Sequence, residues 1–116
     1  MVKPVTLYEI VADYAPSSNT LQRVGLVGSY ARGDAEEKSD VDLVFDTGGS
    51  LIDEAVLSAG MGIRWVLKNQ FDTDTDIISY EAMVRKTNKP TIRQHSIETR
   101  GYELMLKDLK WIWRRE

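Results

Sequence analysis

The stretch from residue 28 to residue 42 carries residue types that could do chemistry. A glycine–serine pair, Gly28-Ser29, is followed by two aspartates, Asp40 and Asp42. Glycine lets the backbone approach a phosphate closely and serine offers a hydroxyl, while the amides that open a helix present donors and the positive end of its dipole. The pattern therefore predicts that Gly28 and Ser29 bind the triphosphate of a nucleotide.

The two aspartates lie on a predicted strand. Val41, Leu43 and Phe45 alternate with acidic residues, which is the period-two pattern of a strand with one apolar and one acidic face. Asp40 and Asp42 then project from the same face, where two nearby carboxylates repel each other unless a divalent cation lies between them. Mg²⁺ prefers carboxylate and phosphate oxygens, so this strand predicts a magnesium site.

A third carboxylate would complete a clamp of the two-metal kind, in which metal ions hold the entering and leaving oxygens of a phosphoryl-type transfer. The candidates are Asp72, Asp74 and Asp76. Asp76 directly precedes the predicted strand at Ile77-Ile78, which would carry it into the same site. We therefore choose Asp76 over Asp74 as the third ligand.

Two common ligand-binding motifs do not fit these segments. A phosphate-binding loop of the Walker type requires Lys and then Ser or Thr after its second glycine, but Asp34 and Ala35 follow Gly33. A calcium-binding EF-hand loop beginning at Asp72 requires glycine at its sixth position, where Ile77 stands.

Three further features have both a functional and a structural interpretation. Arg32 offers a planar donor fork to a phosphate, although an ion pair with Glu36 explains it equally well. His95 is the sole histidine and lacks a second titrating partner, so we expect it on the surface rather than as a general base. We expect the aromatic group Trp111–Trp113 to pack on the core rather than to bind a partner.

The elements that must position these residues follow from hydrophobic periodicity. The predicted order is a helix at Leu7–Tyr14, a strand at Val24–Val27, a short helix at Tyr30–Glu37, the acidic strand ending near Asp46, a helix at Ile52–Phe71, a strand at Ile77-Ile78, a short helix at Thr91–Glu98, a strand at Tyr102–Leu106 and a terminal amphipathic helix over 106–116. Gly60 and Gly62 predict a weak point in the longest helix.

Composition limits the functional classes. The 116 residues predict one domain, and a net charge of -3 lacks the basic surface needed for general nucleic-acid binding. Zero cysteines exclude thiolate catalysis and disulfides. Neither a signal peptide nor a membrane-spanning apolar run is visible, so we expect a cytoplasmic protein that does not bind membranes.

The Gly-Ser pair and the following Asp-x-Asp resemble the signature of the polymerase-beta-like nucleotidyltransferases, specifically the minimal MNT type. The resemblance covers about residues 20–105 of a single domain spanning 1–116. It implies an α+β fold in which helices flank a mixed sheet. It also implies that the triphosphate lies at Gly28 and Ser29, and that two magnesium ions are held by Asp40, Asp42 and Asp76.

The resemblance also implies a biological role. Many MNT proteins are antitoxins that silence a HEPN-domain toxin by transferring AMP from ATP to one of its tyrosines. Two alternatives are transfer to a small molecule such as an aminoglycoside, and an antitoxin that blocks its partner by binding without catalysis. The stretches 52–71 and 107–116 match no feature of the family pattern.

Overall fold

The computed structural model describes residues 1–87 and 97–116. Its elements, in chain order, are α1 (Pro4–Tyr14), β1 (Arg23–Val27), α2 (Gly28–Arg32), β2 (Val41–Asp46), α3 (Glu54–Phe71), β3 (Thr75–Ser79), α4 (Tyr80–Thr87), α5 (Ile97–Asp108) and β4 (Lys110–Arg114), with a 3-10 turn at Ala15–Ser17 after α1. The predicted helix at Thr91–Glu98 and the histidine His95 lie mostly or wholly outside the described residues.

The strands form one mixed sheet in the order β3-β2-β1-β4. Strand β1 is antiparallel to both β2 and β4, whereas β2 and β3 run parallel. Helices flank this sheet, which confirms the predicted α+β fold class.

Each face of the sheet is covered by its own hydrophobic cluster. The first cluster joins alternate residues of β2 to α1 and α3; its β2 members are Val41, Leu43 and Phe45. The second cluster contains Val27, Val44 and Met83, and packs against side chains of α5. The face of β2 predicted to be acidic therefore becomes apolar at Val44.

Helix α3 begins and ends at aspartates. The Asp53 carboxylate accepts a hydrogen bond of 2.9 Å from the Val56 amide and so caps the first turn. At the other end Asp72 adopts a left-handed conformation with φ of 50°, and its amide donates back to the last turn. The predicted helix at Ile52–Phe71 is thus confirmed with a start two residues later.

The glycines inside α3 are packing positions. The helix runs without a break through Gly60 and Gly62, so the predicted weak point is wrong. A methyl group on Gly60 would lie 2.7 Å from Cδ1 of Ile77, and one on Gly62 would collide with the ring of Tyr14. Glycine is present there because α1 and β3 approach the helix backbone closely.

The short helix α2 differs from its prediction. It spans Gly28–Arg32 rather than Tyr30–Glu37. Gly33 ends it in a left-handed conformation with φ of 83°, and the amides of Gly33 and Asp34 both donate to the Ser29 carbonyl. The glycine terminates the helix before the acidic residues that follow can join it.

Two predictions for the C-terminal part of the chain are wrong. The expected strand at Tyr102–Leu106 is the interior of helix α5, and the expected terminal helix over 106–116 is replaced by strand β4. Three side chains of α5 pack on the second cluster at helical spacing, namely Tyr102, Met105 and Leu106, and Leu109 joins them just after the helix ends. The aromatic run that follows favours a strand.

The tryptophan-containing segment packs on the domain, as predicted. Ile112 and Trp113 lie against the first cluster. The Trp111 ring meets Tyr80 edge to face at 5.2 Å, and the Arg23 guanidinium lies 3.8 Å from its centroid. Within the described ranges, no helix has both the length and the apolar character needed to cross a membrane.

We predict that Gly62→Ala lowers the free energy of unfolding by about 1–3 kcal/mol, because the new methyl group must displace the Tyr14 ring. Gly101→Ala in α5 is the matched control, since nothing lies within 4 Å of its added methyl group. There we expect a gain of up to about 1 kcal/mol from helix propensity. Urea denaturation measures both values, and equal responses of the two variants would contradict the packing role of Gly62.

Candidate active site

Two of the predicted aspartates are neighbours across the parallel strands. Asp42 on β2 is in register with Asp76 on β3. Side chains at paired positions of adjacent strands project from the same face of the sheet, so the two carboxyls face the same side. This is the face that carries the second cluster, near the residues where β2 and β3 begin.

The environment of Asp42 perturbs its acidity. The residue is half-buried, and burial is the main cause that raises the pKa of its carboxyl from 3.8 to about 6. The negative charge of Asp76 contributes next, followed by that of Asp40 and by a hydrogen bond with the Asp76 side chain. The three predicted aspartates therefore interact electrostatically.

Asp40 is the outermost of the three. It precedes the first residue of β2 and is exposed. As the side chains stand, no group of three or more His, Cys, Asp or Glu residues in the described ranges is close enough to hold a metal ion. The close partners are thus Asp42 and Asp76, whereas Asp40 acts on them at longer range.

The carboxyl oxygens at this point suit a hard divalent cation. Mg²⁺ is commonly bound through one or two protein carboxylates, with substrate phosphates and water supplying the other ligands. A pair of neighbouring carboxyls, one of them with a raised pKa, has the excess negative charge that such an ion would neutralise. The residues present therefore fit the predicted metal.

The alternative third ligand, Asp74, has a different environment. Its carboxylate lies 3.2 Å from the Lys68 ammonium group, which also contacts Asp72 at 3.3 Å. Asp74 precedes β3 and is not the register partner of Asp42. The geometry thus separates Asp74 from the carboxyl pair.

Gly28 lies against the carboxyl pair as well as at the predicted phosphate turn. It opens α2 with φ of 75°, a conformation that favours glycine. A methyl group built on it would lie 2.6 Å from Oδ2 of Asp42. Among the described residues, none forms a hydrogen bond with the hydroxyl of the adjacent Ser29, which leaves that group available to a ligand.

Arg32 links α2 to α5. Its guanidinium pairs with Asp108 at 2.8 Å and with Asp34 at 3.2 Å, not with Glu36 as the alternative interpretation had it. The hydrogen bond to Asp108, and then that to Asp34, raises the pKa of Arg32. Its positive charge also acts on Asp42 and opposes the rise in that pKa.

Sequence reasoning missed Asp108. It lies 76 positions from Arg32, and its segment was assigned to the wrong element type, so no local pattern identified the pair. Correct placement of α5 across the end of α2 would have been needed to find it.

A cleft of about 500 Å³ opens beside Asp40. Its walls come from the loop before β2 and from the end of α3, and include Lys38, Ser39, Phe71 and Asp74. The cleft gives solvent-sized molecules access to the end of the sheet at which the predicted site lies.

Comparison with known proteins identifies a family that covers most of the chain. The nucleotidyltransferase domain family matches residues 7–99. This range contains every residue predicted for the site. Comparison with curated proteins gives no match.

Several solved structures have a similar fold. A crystal structure of a toxin–antitoxin with AMP-PNP has a TM-score of 0.58 at 17% identity, covering 94% of this chain and 74% of that one. A mutant of the toxin–antitoxin MntA-HpeT has a TM-score of 0.57 at 16% identity, covering 99% and 76%. A Shewanella oneidensis complex of a tri-AMPylated HEPN toxin with an MNT antitoxin has a TM-score of 0.50 at 16% identity, covering 94% and 70%.

We predict that Asp42→Asn stabilises the metal-free protein in a pH-dependent way. The pKa of Asp42 is higher in the folded than in the unfolded protein, so ionisation opposes folding fully above about pH 6 and not at all below about pH 4. At pH 7.5 we expect Asp42→Asn to raise the free energy of unfolding by about 1 kcal/mol, a value reduced for partial solvent screening. The gain should vanish near pH 3.5.

Chemical denaturation in the presence of a chelator, at several pH values, measures this difference. Asp13→Asn is the control, because Asp13 is exposed on α1, outside the site. A gain that is constant from pH 3.5 to pH 7.5 would contradict the raised pKa of Asp42.

Proposed function

Because the chain belongs to the nucleotidyltransferase domain family, we propose that it transfers AMP from ATP to a tyrosine of a HEPN-domain toxin and thereby acts as its antitoxin. The observation that carries the proposal is the Asp42–Asp76 carboxyl pair beside the Gly28 turn. The proposed cation site and the proposed phosphate site are adjacent there, which is the arrangement that phosphoryl-type transfer requires.

Each site residue has a proposed role. Asp42 and Asp76 would hold Mg²⁺ directly, and Asp40 would complete the set of acidic ligands once a nucleotide is bound. Gly28 and Ser29 would receive the triphosphate at the start of α2, where the backbone amides and the serine hydroxyl donate to phosphate oxygens. Arg32 would add positive charge near the phosphates while its ion pair with Asp108 fixes its position.

The proposed reaction forms one bond and breaks one. The phenolic oxygen of the acceptor attacks the α-phosphorus of ATP, and the bond from that phosphorus to the bridging oxygen of pyrophosphate breaks. Pyrophosphate leaves with the electron pair, and the phenolic proton passes to solvent. Bound Mg²⁺ would supply charge neutralisation at the phosphates.

Proteins of similar fold support ATP as the nucleotide and a HEPN-domain toxin as the acceptor. One of them is described with AMP-PNP, which is an ATP analogue. Another is an MNT antitoxin in complex with an AMPylated HEPN toxin.

We predict that the double variant Asp40→Ala, Asp42→Ala abolishes AMP transfer. The test incubates the chain with α-labelled ATP, Mg²⁺ and a purified HEPN-domain protein from the same organism, the product of a neighbouring reading frame being the first choice. With the wild-type chain, label should appear on the HEPN-domain protein. With the double variant, or with a chelator, label should fall to background because the cation no longer neutralises the phosphate charge.

Two further reactions separate the alternatives. In one the acceptor tyrosine of the HEPN-domain protein is substituted, and label should be lost; in the other an aminoglycoside replaces the HEPN-domain protein. Label on the antibiotic alone would favour the small-molecule acceptor. Full neutralisation of the toxin by the double variant, without transfer, would contradict catalysis as the mechanism and favour steric blocking.

A second prediction concerns the close contact between Gly28 and the carboxyl of Asp42. Gly28→Ala should reduce transfer about 100-fold, because the new methyl group displaces a proposed metal ligand. Gly33→Ala is matched for backbone strain, with φ of 83° against 75°, but nothing lies within 4 Å of its methyl group. Both variants should lose about 1–2 kcal/mol of stability. Equal rates at a temperature where both are folded would contradict this role of Gly28.

A further inference from the structure

The outer face of α3 exposes an apolar stripe. Leu57, Met61 and Trp65 are spaced four residues apart, which places them on one side of the helix, and they are 58%, 68% and 63% exposed. Ile77 of the adjacent strand β3 is 37% exposed beside them. Contiguous exposed apolar side chains of this size mark interaction surfaces more often than solvated ones.

Three clefts follow this stripe and share lining residues. An apolar cleft of about 210 Å³ between α3 and β3 shares Met61 and Arg64 with a second cleft of about 370 Å³. The second shares Lys68, Thr73 and Asp74 with the cleft that contains Asp40. The three clefts therefore follow one another along the helix and form a track, hereafter the α3 track, from Leu57 to the cleft that Asp40 lines.

The dimensions of the α3 track suit an extended polypeptide. From Leu57 to Asp72 the helix rises about 22 Å, which is the length of about seven residues in extended conformation. Strand β3 borders the track and, in the part of the chain that the structure describes, pairs only with β2. Its free edge offers backbone donors and acceptors to a second extended chain.

The charges along the α3 track favour one kind of ligand over others. Arg64 lines both of the first two clefts and, among the described residues, forms no ion pair. Lys68 is already neutralised by Asp72 and Asp74. One unpaired cation between apolar clefts favours a segment with apolar side chains and one carboxylate, and the aspartates nearer the site disfavour a nucleic-acid backbone.

We propose that the α3 track binds an extended segment of the acceptor protein, with apolar side chains on Met61 and Trp65 and an acidic side chain paired with Arg64. The segment leads past Lys68 to Asp40, at the end of the sheet where β2 and β3 begin, and the acceptor hydroxyl reaches the carboxyl pair around that end. This inference rests on the proposed function, because it assigns a protein as the acceptor.

The test compares variants of the track with matched variants elsewhere. The double variant Met61→Ser, Trp65→Ser removes the apolar stripe, and Arg64→Glu reverses the unpaired charge. Their controls are Val5→Ser, at a valine 66% exposed on α1, and Arg114→Glu, at an exposed arginine on β4, the opposite edge of the sheet. All of these positions are exposed, so we expect folding to be preserved.

Two measurements are made with the HEPN-domain protein used for the transfer assay. Titration calorimetry gives its affinity for each variant, and initial rates give KM for that protein and KM for ATP. We expect both track variants to weaken binding and to raise KM for the HEPN-domain protein at least about 10-fold, as expected for tryptophan and arginine at an interface centre. KM for ATP and both control variants should be unchanged.

The two measurements separate failure of the inference from failure of the proposed function. Wild-type affinity and KM in both track variants would overturn the α3 track as docking surface while leaving transfer intact. Binding of the HEPN-domain protein that the track variants weaken, without any transfer by the wild-type chain, would overturn the proposed chemistry but support the track. A rise in KM for ATP alone would assign these residues to nucleotide binding and overturn the inference.

Discussion

The parallel pairing of β2 with β3 is the constraint on which the rest of the structure depends. It places Asp42 beside Asp76 on one face of the sheet and holds two acidic side chains in a position where they repel each other. Burial of its carboxyl, and then the negative charge of Asp76, raise the pKa of Asp42 to about 6. This repulsion does not stabilise the fold, which supports the proposal that a ligand neutralises the charge at these carboxyls.

The same pairing requires α3. Two parallel strands cannot be joined by a tight turn, and the chain must cross back over a face of the sheet. The 18 residues of α3 make this crossover, and its buried side chains form much of the first cluster. Gly62 lets this crossover helix pack closely against Tyr14 of α1.

The predictable parts of the fold were those with local signals. The strand at Val24–Val27, the alternation over Val41–Phe45 and the long helix ending at Phe71 each followed from periodicity within one segment. The register of Asp42 with Asp76 could be anticipated only as a choice between Asp76 and Asp74, because pairing across strands is set by tertiary packing rather than by local sequence.

The C-terminal segment was not predictable in this way. Tyr102–Leu106 was predicted as a strand, yet Tyr102, Met105 and Leu106 pack on the second cluster from a helix. Leu109 and Trp113 fit one helical face in the sequence, but α5 ends at Asp108 and Trp113 lies on β4. The ion pair of Asp108 with Arg32 joins residues 76 positions apart and has no sequence signal of its own.

The crossover also explains why the proposed docking surface and the proposed transfer site would both lie on the β2–α3–β3 segment. Burial of one side of α3 in the first cluster turns its other side, with Met61 and Trp65, outward along the free edge of β3. That edge strand carries Asp76, and the helix ends next to the cleft that contains Asp40. A segment bound along α3 would thus reach the end of the sheet at which the same strand–helix–strand connection brings those carboxyls together.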